Sequence, residues 1–311
     1  MKAAVVHSFD LPPCYEDFPD PVAAPDKGEL LVDVVAAALH PRVRSQANGS
    51  HYTSSGELPL VPGIDAVVRD DAGRLYYALL DDTTFGTMAQ RTVIEKDRSV
   101  RLPAGVDPAL VAAAINPVMS SWVALRHRIN FRRGSRVLIL GATGNAGRTA
   151  IQVARRFGAK EVIGAGRDAQ RLGQLSSLGA DRVLTLDQLG QASNVDVVID
   201  YIWGGPSAEG MVDLLTNRDD RGKDLTWLQI GSVAGPSAEI ASAALRSTRT
   251  QIVGSGIGSV AGRCFRAEIP RIAKAVTKGA FDIRPQAVPL REVAEVWDGT
   301  PDSDSRIVFL P

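Results

Sequence analysis

From Arg136 onward the chain alternates short apolar runs with longer amphipathic ones. Strand-type runs begin with RVLIL at 136, EVIGAG at 161, DRVLTL at 181, VDVVIDYI at 195, LTWLQIGSV at 225 and TQIVGSGIG at 250. After the first of them Ala150, Ile151, Val153, Ala154 and Phe157 recur at helical spacing, and AQRLGQLSSLGA is a second amphipathic segment. Alternation of this kind predicts an α/β fold, a parallel sheet covered by helices on both faces, with ligands bound at the carboxyl ends of the strands. The first half has another texture. AAVVHSF, ELLVDVVAAAL, AVVRD, RLYYALL and FGTMAQRTVI read as short strands broken by Pro, Gly and Asp, with no long helix expected before about Pro108. That half is expected to be a mostly-β domain, and neither half shows an internal repeat.

Between the run at 136 and the helix after it lies GATGNAG, residues 141 to 147. Glycines at 141, 144 and 147 let the backbone approach a diphosphate and let the helix pack closely on the strand, and free amides at the helix start attract negative charge. A glycine trio alone is weak evidence, but strand before and helix after is the context that dinucleotide binding requires. Gly141, Thr143, Gly144, Asn145, Ala146 and Gly147 are therefore the expected cofactor cradle.

Composition narrows the partners. Lys plus Arg and Asp plus Glu both number 35, so no long-range field for nucleic acid or anionic membrane is expected, and a small molecule is the expected partner. The Arg-rich run RHRINFRRGSR, 126 to 136, reads as a solvated connection. Cys14 and Cys264 are the two cysteines, which fits a reducing compartment. The first residues hold too short an apolar run for a signal peptide, and no segment is expected to reach the ~18 apolar residues that span a bilayer. A cytoplasmic location is the expectation.

MKAAVV, GELLVDVVAAALHPRVRSQANGSH, LPLVPGIDAVV, FGTMAQRTVI, VRLPAGVDPALVAAAINPVMSSWVAL, the glycine-turn segment and the terminal SRIVFLP, taken in order, resemble the medium-chain dehydrogenase/reductase superfamily over nearly the whole chain. The likeness is to its zinc-independent quinone oxidoreductase and enoyl reductase branch. It implies a GroES-like substrate domain at 1–118 and 281–311 around a Rossmann NADP(H)-binding domain at 119–280. It also implies a homodimer, with QIVGSGI pairing edge to edge with its copy. The stretch between Val68 and Phe85 lacks the GDRV-like segment usual in the family.

A catalytic zinc needs about three ligands from Cys, His and carboxylate. Where zinc-dependent relatives carry a His-Glu pair this chain has Ile64-Asp65, and where they carry a ligand Cys it has AALHPRVR. His40, His51 and Asp65 match no ligand spacing, and no metal site is expected. Cofactor choice rests on the end of the second strand, where an acid would bind the adenosine ribose and repel a 2′-phosphate. Here Gly166 is followed by Arg167, and Glu161 opens that strand instead of closing it. NADPH is expected, with Arg167 and Arg171 pairing with the 2′-phosphate.

Without a metal to polarise a carbonyl, conjugate reduction of an enone or quinone is easier than alcohol oxidation, because the anion formed needs only a hydrogen-bond donor or a solvent proton. Carried over by position, the resemblance puts His40 where quinone reductases have Asn, Tyr52 where an aromatic lines the substrate mouth, and Asn116 to Ser121 on a segment facing the nicotinamide. His40, Tyr52 and Asn116 are the catalytic candidates, although His40 and Tyr52 read equally as packing and pocket wall. Ser120, Gly231, Ser232 and Gly256 are expected to border the nicotinamide. A non-catalytic NADPH sensor on the same fold is the competing reading, and an alcohol dehydrogenase acting on simple carbonyls the third. Short-chain reductases, which share the turn, place a Lys four residues after a Tyr, and no Tyr here has one.

Overall fold

The computed structural model describes residues 1–256, 258–299 and 305–311. It divides into two compact units, Met1–Asn116 with Arg266–Pro311, and Pro117–Phe265.

The first unit opens with strands β1 (Lys2–Val5), β2 (Cys14–Asp17) and β3 (Glu29–Ala38), then a short helix α1 (Pro41–Ala47). β4 (Asp65–Arg69), β5 (Leu75–Leu79), β6 (Arg91–Glu95) and β7 (Ser99–Arg101) follow, and helix α2 (Pro108–Val123) leads out. β3 is the hub: it pairs antiparallel with β4 and with β6, and at its far end with the last strand of the chain. Its buried residues Val32, Val34 and Ala37 pack with Ala66, Val68, Ile94 and Phe309 in one apolar core. Each buried Val, Ile or Phe contributes about 1.5–3 kcal/mol. β2, β7 and α1 were not anticipated. β2 and β7 are short and largely exposed, so they carry little apolar pattern. α1 is seven residues, started by Pro41 at its first turn, too brief for a helical period to show.

The second unit holds β8 (Arg136–Leu140), α3 (Asn145–Arg156), β9 (Glu161–Gly166), α4 (Ala169–Gly173), β10 (Arg182–Thr185), β11 (Val197–Asp200), α5 (Gly204–Thr216), β12 (Leu225–Gln229), α6 (Ser242–Arg246) and β13 (Thr250–Gly254). All pairings are parallel, in the order β10-β9-β8-β11-β12-β13. This is the doubly wound order, with the reversal between β8 and β11 where such sheets bind ligands. Val137 to Leu140 are buried without alternation, as a central strand covered on both faces demands.

α7 (Gly262–Thr277) leads back, and β14 (Arg284–Pro289), α8 (Val293–Val296) and β15 (Ser305–Leu310) complete the first unit's seven-stranded sheet. The fold class is the expected one, a doubly wound parallel sheet beside a mostly-β unit.

One expectation needs correction. α2 and the wider turn that extends it to Arg128 make a helix of 21 residues, long and apolar enough by length and composition to cross a membrane. Two-thirds of its apolar window (67%) is buried inside the protein, the pattern of a core helix. Sequence reading missed its length because Asn116 and Pro117 interrupt the apolar run.

Candidate active site

The cradle is built at the carboxyl end of β8. Gly141 takes a left-handed φ of 77°, turning the chain out of the strand, and its N–H and that of Ala142 both donate to Ala165 O, at 3.0 and 2.9 Å. α3 then starts at Asn145 with Gly144 as its cap, which supplies no side-chain bond, and it has no acid in its first turn. The positive end of a helix that carries no acid in its first turn favours an anion such as a diphosphate group. A Cβ on Gly147 would lie 2.2 Å from Gly141 O and 2.6 Å from Ala142 Cα. Thr143, Asn145 and Ala146 are half-buried and Gly144 is exposed. The residues present therefore fit a dinucleotide.

At the end of β9, Gly166 packs against Thr143, and Arg167 lines a cleft of about 510 Å³ with Thr185, Asp187, Pro206, Glu209 and Asp213. Arg167 makes no hydrogen bond or ion pair among the described residues. Arg171 is differently placed: its backbone N–H donates to the capping carboxylate of Asp168 at 3.1 Å, and its guanidinium pairs with the same carboxylate at 3.5 Å. Only Arg167 therefore keeps an uncommitted charge at the strand end.

β11 and β12 end in loops tied together. Gly231 N donates to Asp200 O at 3.1 Å, Ala234 N to Ile202 O at 2.9 Å, and a Cβ at Gly231 would meet Tyr201 O at 2.5 Å. Asp200, fully buried, accepts from Ile202 N, Trp203 N and Trp227 Nε1 at 2.8, 3.0 and 2.9 Å, and so fixes the turn out of β11. The turn is strained: Trp203 has φ 54° and ψ −164°, a region favouring glycine. Ser120 on α2 bonds the Tyr201 hydroxyl at 2.9 Å, and burial pushes that phenol up to about 12. Ser232 is exposed, and exposed Gly256 closes a tight turn with Ser259, its N–H donating to Ser259 Oγ at 2.8 Å. Ile257, in the same loop, lies outside the described residues.

In the first unit the catalytic candidates separate. His40, 2% exposed, places Nε2 2.7 Å from Asp65 Oδ1, while Tyr77 Oη donates to the other carboxylate oxygen. Burial pushes the His40 imidazole below its usual value, against the pull of Asp65. Burial alone would raise the Asp65 carboxyl, but the bonds to His40 and Tyr77 and the charge of Arg306 hold it below the usual range. The pair is thus a neutral imidazole donating from Nε2 to a carboxylate, with Nδ1 bare, sealed from solvent and without a partner. As placed, His40 has no proton to offer a ligand. Asn116 is half-buried on α2, and Arg306 Nη2 donates to its Oδ1 at 3.3 Å. Tyr52 is 75% exposed, its ring stacked on His51 with centroids 4.2 Å apart.

His51, Tyr77 and Arg306 were not singled out for these places. Tyr77 and Arg306 sit inside strand runs and are not marked as polar core by any spacing. His40 and Asp65 meet, whereas His51 turns its Nδ1 to Thr53 Oγ1 at 2.8 Å. Among the described residues no group of three or more His, Cys, Asp and Glu could hold a metal ion.

The two histidines make stability depend on pH. Burial, with the Arg42 charge, brings His51 down to about 4, and burial brings His40 down as well. Between 6.5 and these lower values the unfolded chain binds protons that the folded chain refuses, so stability is full above 6.5 and falls with pH below it. The urea midpoint is expected to be level from about pH 8 to 7 and to drop between about pH 6.5 and 4, less steeply in His51→Gln. A midpoint unchanged from about pH 7 to 5 would contradict the neutral, buried state of His40.

No protein-family model matches the chain. It is 29% identical over 365 aligned residues, covering 100% of both chains, to the "Probable NADPH-dependent quinone reductase tdiC" of Emericella nidulans. It is 30% identical over 215 residues to the 2-methylene-furan-3-one reductase of Solanum lycopersicum, covering 61% of this chain and 54% of that protein. The quinone oxidoreductase of Thermus thermophilus, solved also with NADPH, superposes with a TM-score of 0.79 at 22% identity, covering 100% of each chain, and shows the same fold. The likeness to a quinone reductase over the whole chain and the shared fold support the resemblance to the medium-chain dehydrogenase/reductase superfamily, in its zinc-independent quinone reductase branch.

Proposed function

We propose that this protein is an NADPH-dependent, zinc-independent reductase of quinones and α,β-unsaturated carbonyl compounds. The observation that carries the reading is the end of β9, where Arg167 stands uncommitted in a cleft beside the dinucleotide cradle. The relatives named above, a probable NADPH-dependent quinone reductase and a 2-methylene-furan-3-one reductase, support the same chemistry.

Bound NADPH would supply the hydride. The amino-terminal end of α3 would hold its diphosphate, with Gly141, Thr143, Gly144, Asn145, Ala146 and Gly147 as the cradle, and Gly166 and Arg167 would receive the 2′-phosphate end. Ser120, Gly231, Ser232 and Gly256 stand on strand-end loops or on α2 as candidates for the nicotinamide end. Asn116 and Tyr52 are the candidates to touch the electrophile. His40, committed to Asp65, serves the packing of the β unit.

Purified protein is expected to oxidise NADPH with a benzoquinone and with an α,β-unsaturated ketone, and not with a simple ketone. Arg167→Ala is expected to raise the KM for NADPH about tenfold or more and to leave NADH unchanged, since one charge-assisted contact is worth about 1.5–3 kcal/mol. An unaltered NADPH/NADH preference would remove Arg167 from the site. Tight NADPH binding without turnover would replace the reductase by a sensor.

We also propose a homodimer. Among the described residues β13 is the last strand of its sheet, with no strand on its outer edge and Ile252 partly exposed, and a second copy could cover that edge. A monomer in light scattering would overturn this. Cys14 and Cys264, both free thiols, support a cytoplasmic location, which fractionation would test.

A further inference from the structure

The buried guanidinium of Arg306 has a consequence for the amide beside it. Arg306 lies in β15, 4% exposed, and burial brings it down to about 10, so it is still a cation at neutral pH. Its Nη2 donates to Asn116 Oδ1 at 3.3 Å, and its Nε is sealed without a partner. Which way round an asparagine amide lies is usually decided by its neighbours, and a guanidinium has donors only. The oxygen of Asn116 must therefore face Arg306, because the flipped amide would set NH₂ against N–H. That leaves both hydrogens of Nδ2 pointing away, with no partner among the described residues.

Asn116 is half-buried, so this N–H pair is reachable. A cation behind the amide oxygen draws electron density from the amide and sharpens its donor end. On α2, Asn116 and Ser120 are i and i+4 on one helix face. Ser120 in turn bonds Tyr201, the residue that follows β11 at its carboxyl end. A polarised donor on that face suits an oxygen that gains negative charge.

We propose that Arg306 is a positioning residue that orients and polarises the Asn116 amide as hydrogen-bond donor to the carbonyl oxygen of a conjugated substrate. This rests on the reductase reading. Bound NADPH would supply a hydride to the far, electron-poor carbon and leave as NADP⁺, while the C=C pair of the substrate shifts to give an enolate. The Asn116 N–H bonds the enolate oxygen as its charge develops, and water supplies the proton that completes the reduced product.

The test is steady-state kinetics on Asn116→Leu, Asn116→Asp, Arg306→Met and Arg306→Lys with an enone and NADPH, beside fluorescence titration of NADPH. Losing one donor of this kind lowers kcat by about 10²-fold, the expectation for both Asn116 variants. Arg306→Met is expected to lower kcat about tenfold with NADPH affinity unchanged, Arg306→Lys to recover most of it, and the double variant Asn116→Leu/Arg306→Met to lose no more than Asn116→Leu. Wild-type rates in Asn116→Leu would overturn the proposal, as would additive losses in the double variant. Should Arg306→Met not fold, Asn116→Leu and Arg306→Lys still decide it. Wild-type protein that reduces no enone or quinone would fail the reductase reading itself, a result visible before any variant is made.

Discussion

Gly147→Ala is expected to weaken NADPH binding by about five- to a hundredfold and to lower the thermal midpoint. The added Cβ would fall 2.2 Å from Gly141 O and 2.6 Å from Ala142 Cα, both backbone atoms of the turn that shapes the cradle. Neither can rotate away as a side chain would, so α3 must move off β8, and the amides at its start move with it. Overpacking of this kind costs about 1–3 kcal/mol, which is the affinity range stated if the strain falls on the cofactor site. The control is Gly173→Ala on α4, where a Cβ meets nothing within 4 Å. That variant should bind NADPH like the wild type and melt no lower, because alanine is the better helix former. The measurements are fluorescence titration with NADPH and a thermal melt on both variants. Equal NADPH affinity in wild type and Gly147→Ala would mean that the close approach of α3 to Gly141 has no part in cofactor binding.

The same glycine shows why much of this fold was legible in the sequence. The turn at 141 to 147 is local: a strand, three glycines and a helix within two dozen residues. Its geometry follows from sterics that any reader of the chain can apply. β8, β9, β11 and β12 were legible for a related reason, since strands covered on both faces must be nearly unbroken apolar runs, and VLIL and VVID are such runs. α1 was not, because seven residues opened by a proline carry no period. The β unit's polar core escaped notice for a different reason. His40, Asp65, Tyr77 and Arg306 are far apart in sequence and come from different elements. Their meeting depends on β15 returning to β3, and burial of a charge leaves no mark on the pattern of its own strand. Asp65 was noticed only as a possible metal ligand, and the side chain that meets it proves to be His40. Arg167 stands between these cases: its place at the end of β9 was legible, but that Arg171 is spent on Asp168 became visible only in three dimensions.

Removing the carboxylate from that polar core is expected to have the largest effect on stability. Asp65→Ala leaves His40 Nε2 and Tyr77 Oη without their acceptor and Arg306 buried without a counter-charge. Breaking one partner out of a buried charged group costs about 3–5 kcal/mol, a large part of the roughly 5–15 kcal/mol that holds a typical native protein. The sign with pH follows from the depressed carboxyl of Asp65. Its contribution is complete above the unfolded value of 3.8 and is lost as pH falls through the lower folded one, so at about pH 7 the whole effect should be seen. Urea unfolding at that pH should show the midpoint of the β unit shifted strongly, while Asp17→Ala, which removes an exposed partner of Lys2, leaves it in place. The double variant Asp65→Ala/Arg306→Met should regain much of the loss, since the penalty belongs to the stranded cation more than to the missing pair. If Asp65→Ala alone unfolds at the wild-type midpoint, Arg306 finds its compensation elsewhere. The oriented amide of Asn116 would then have to be explained without a cation held in place by Asp65.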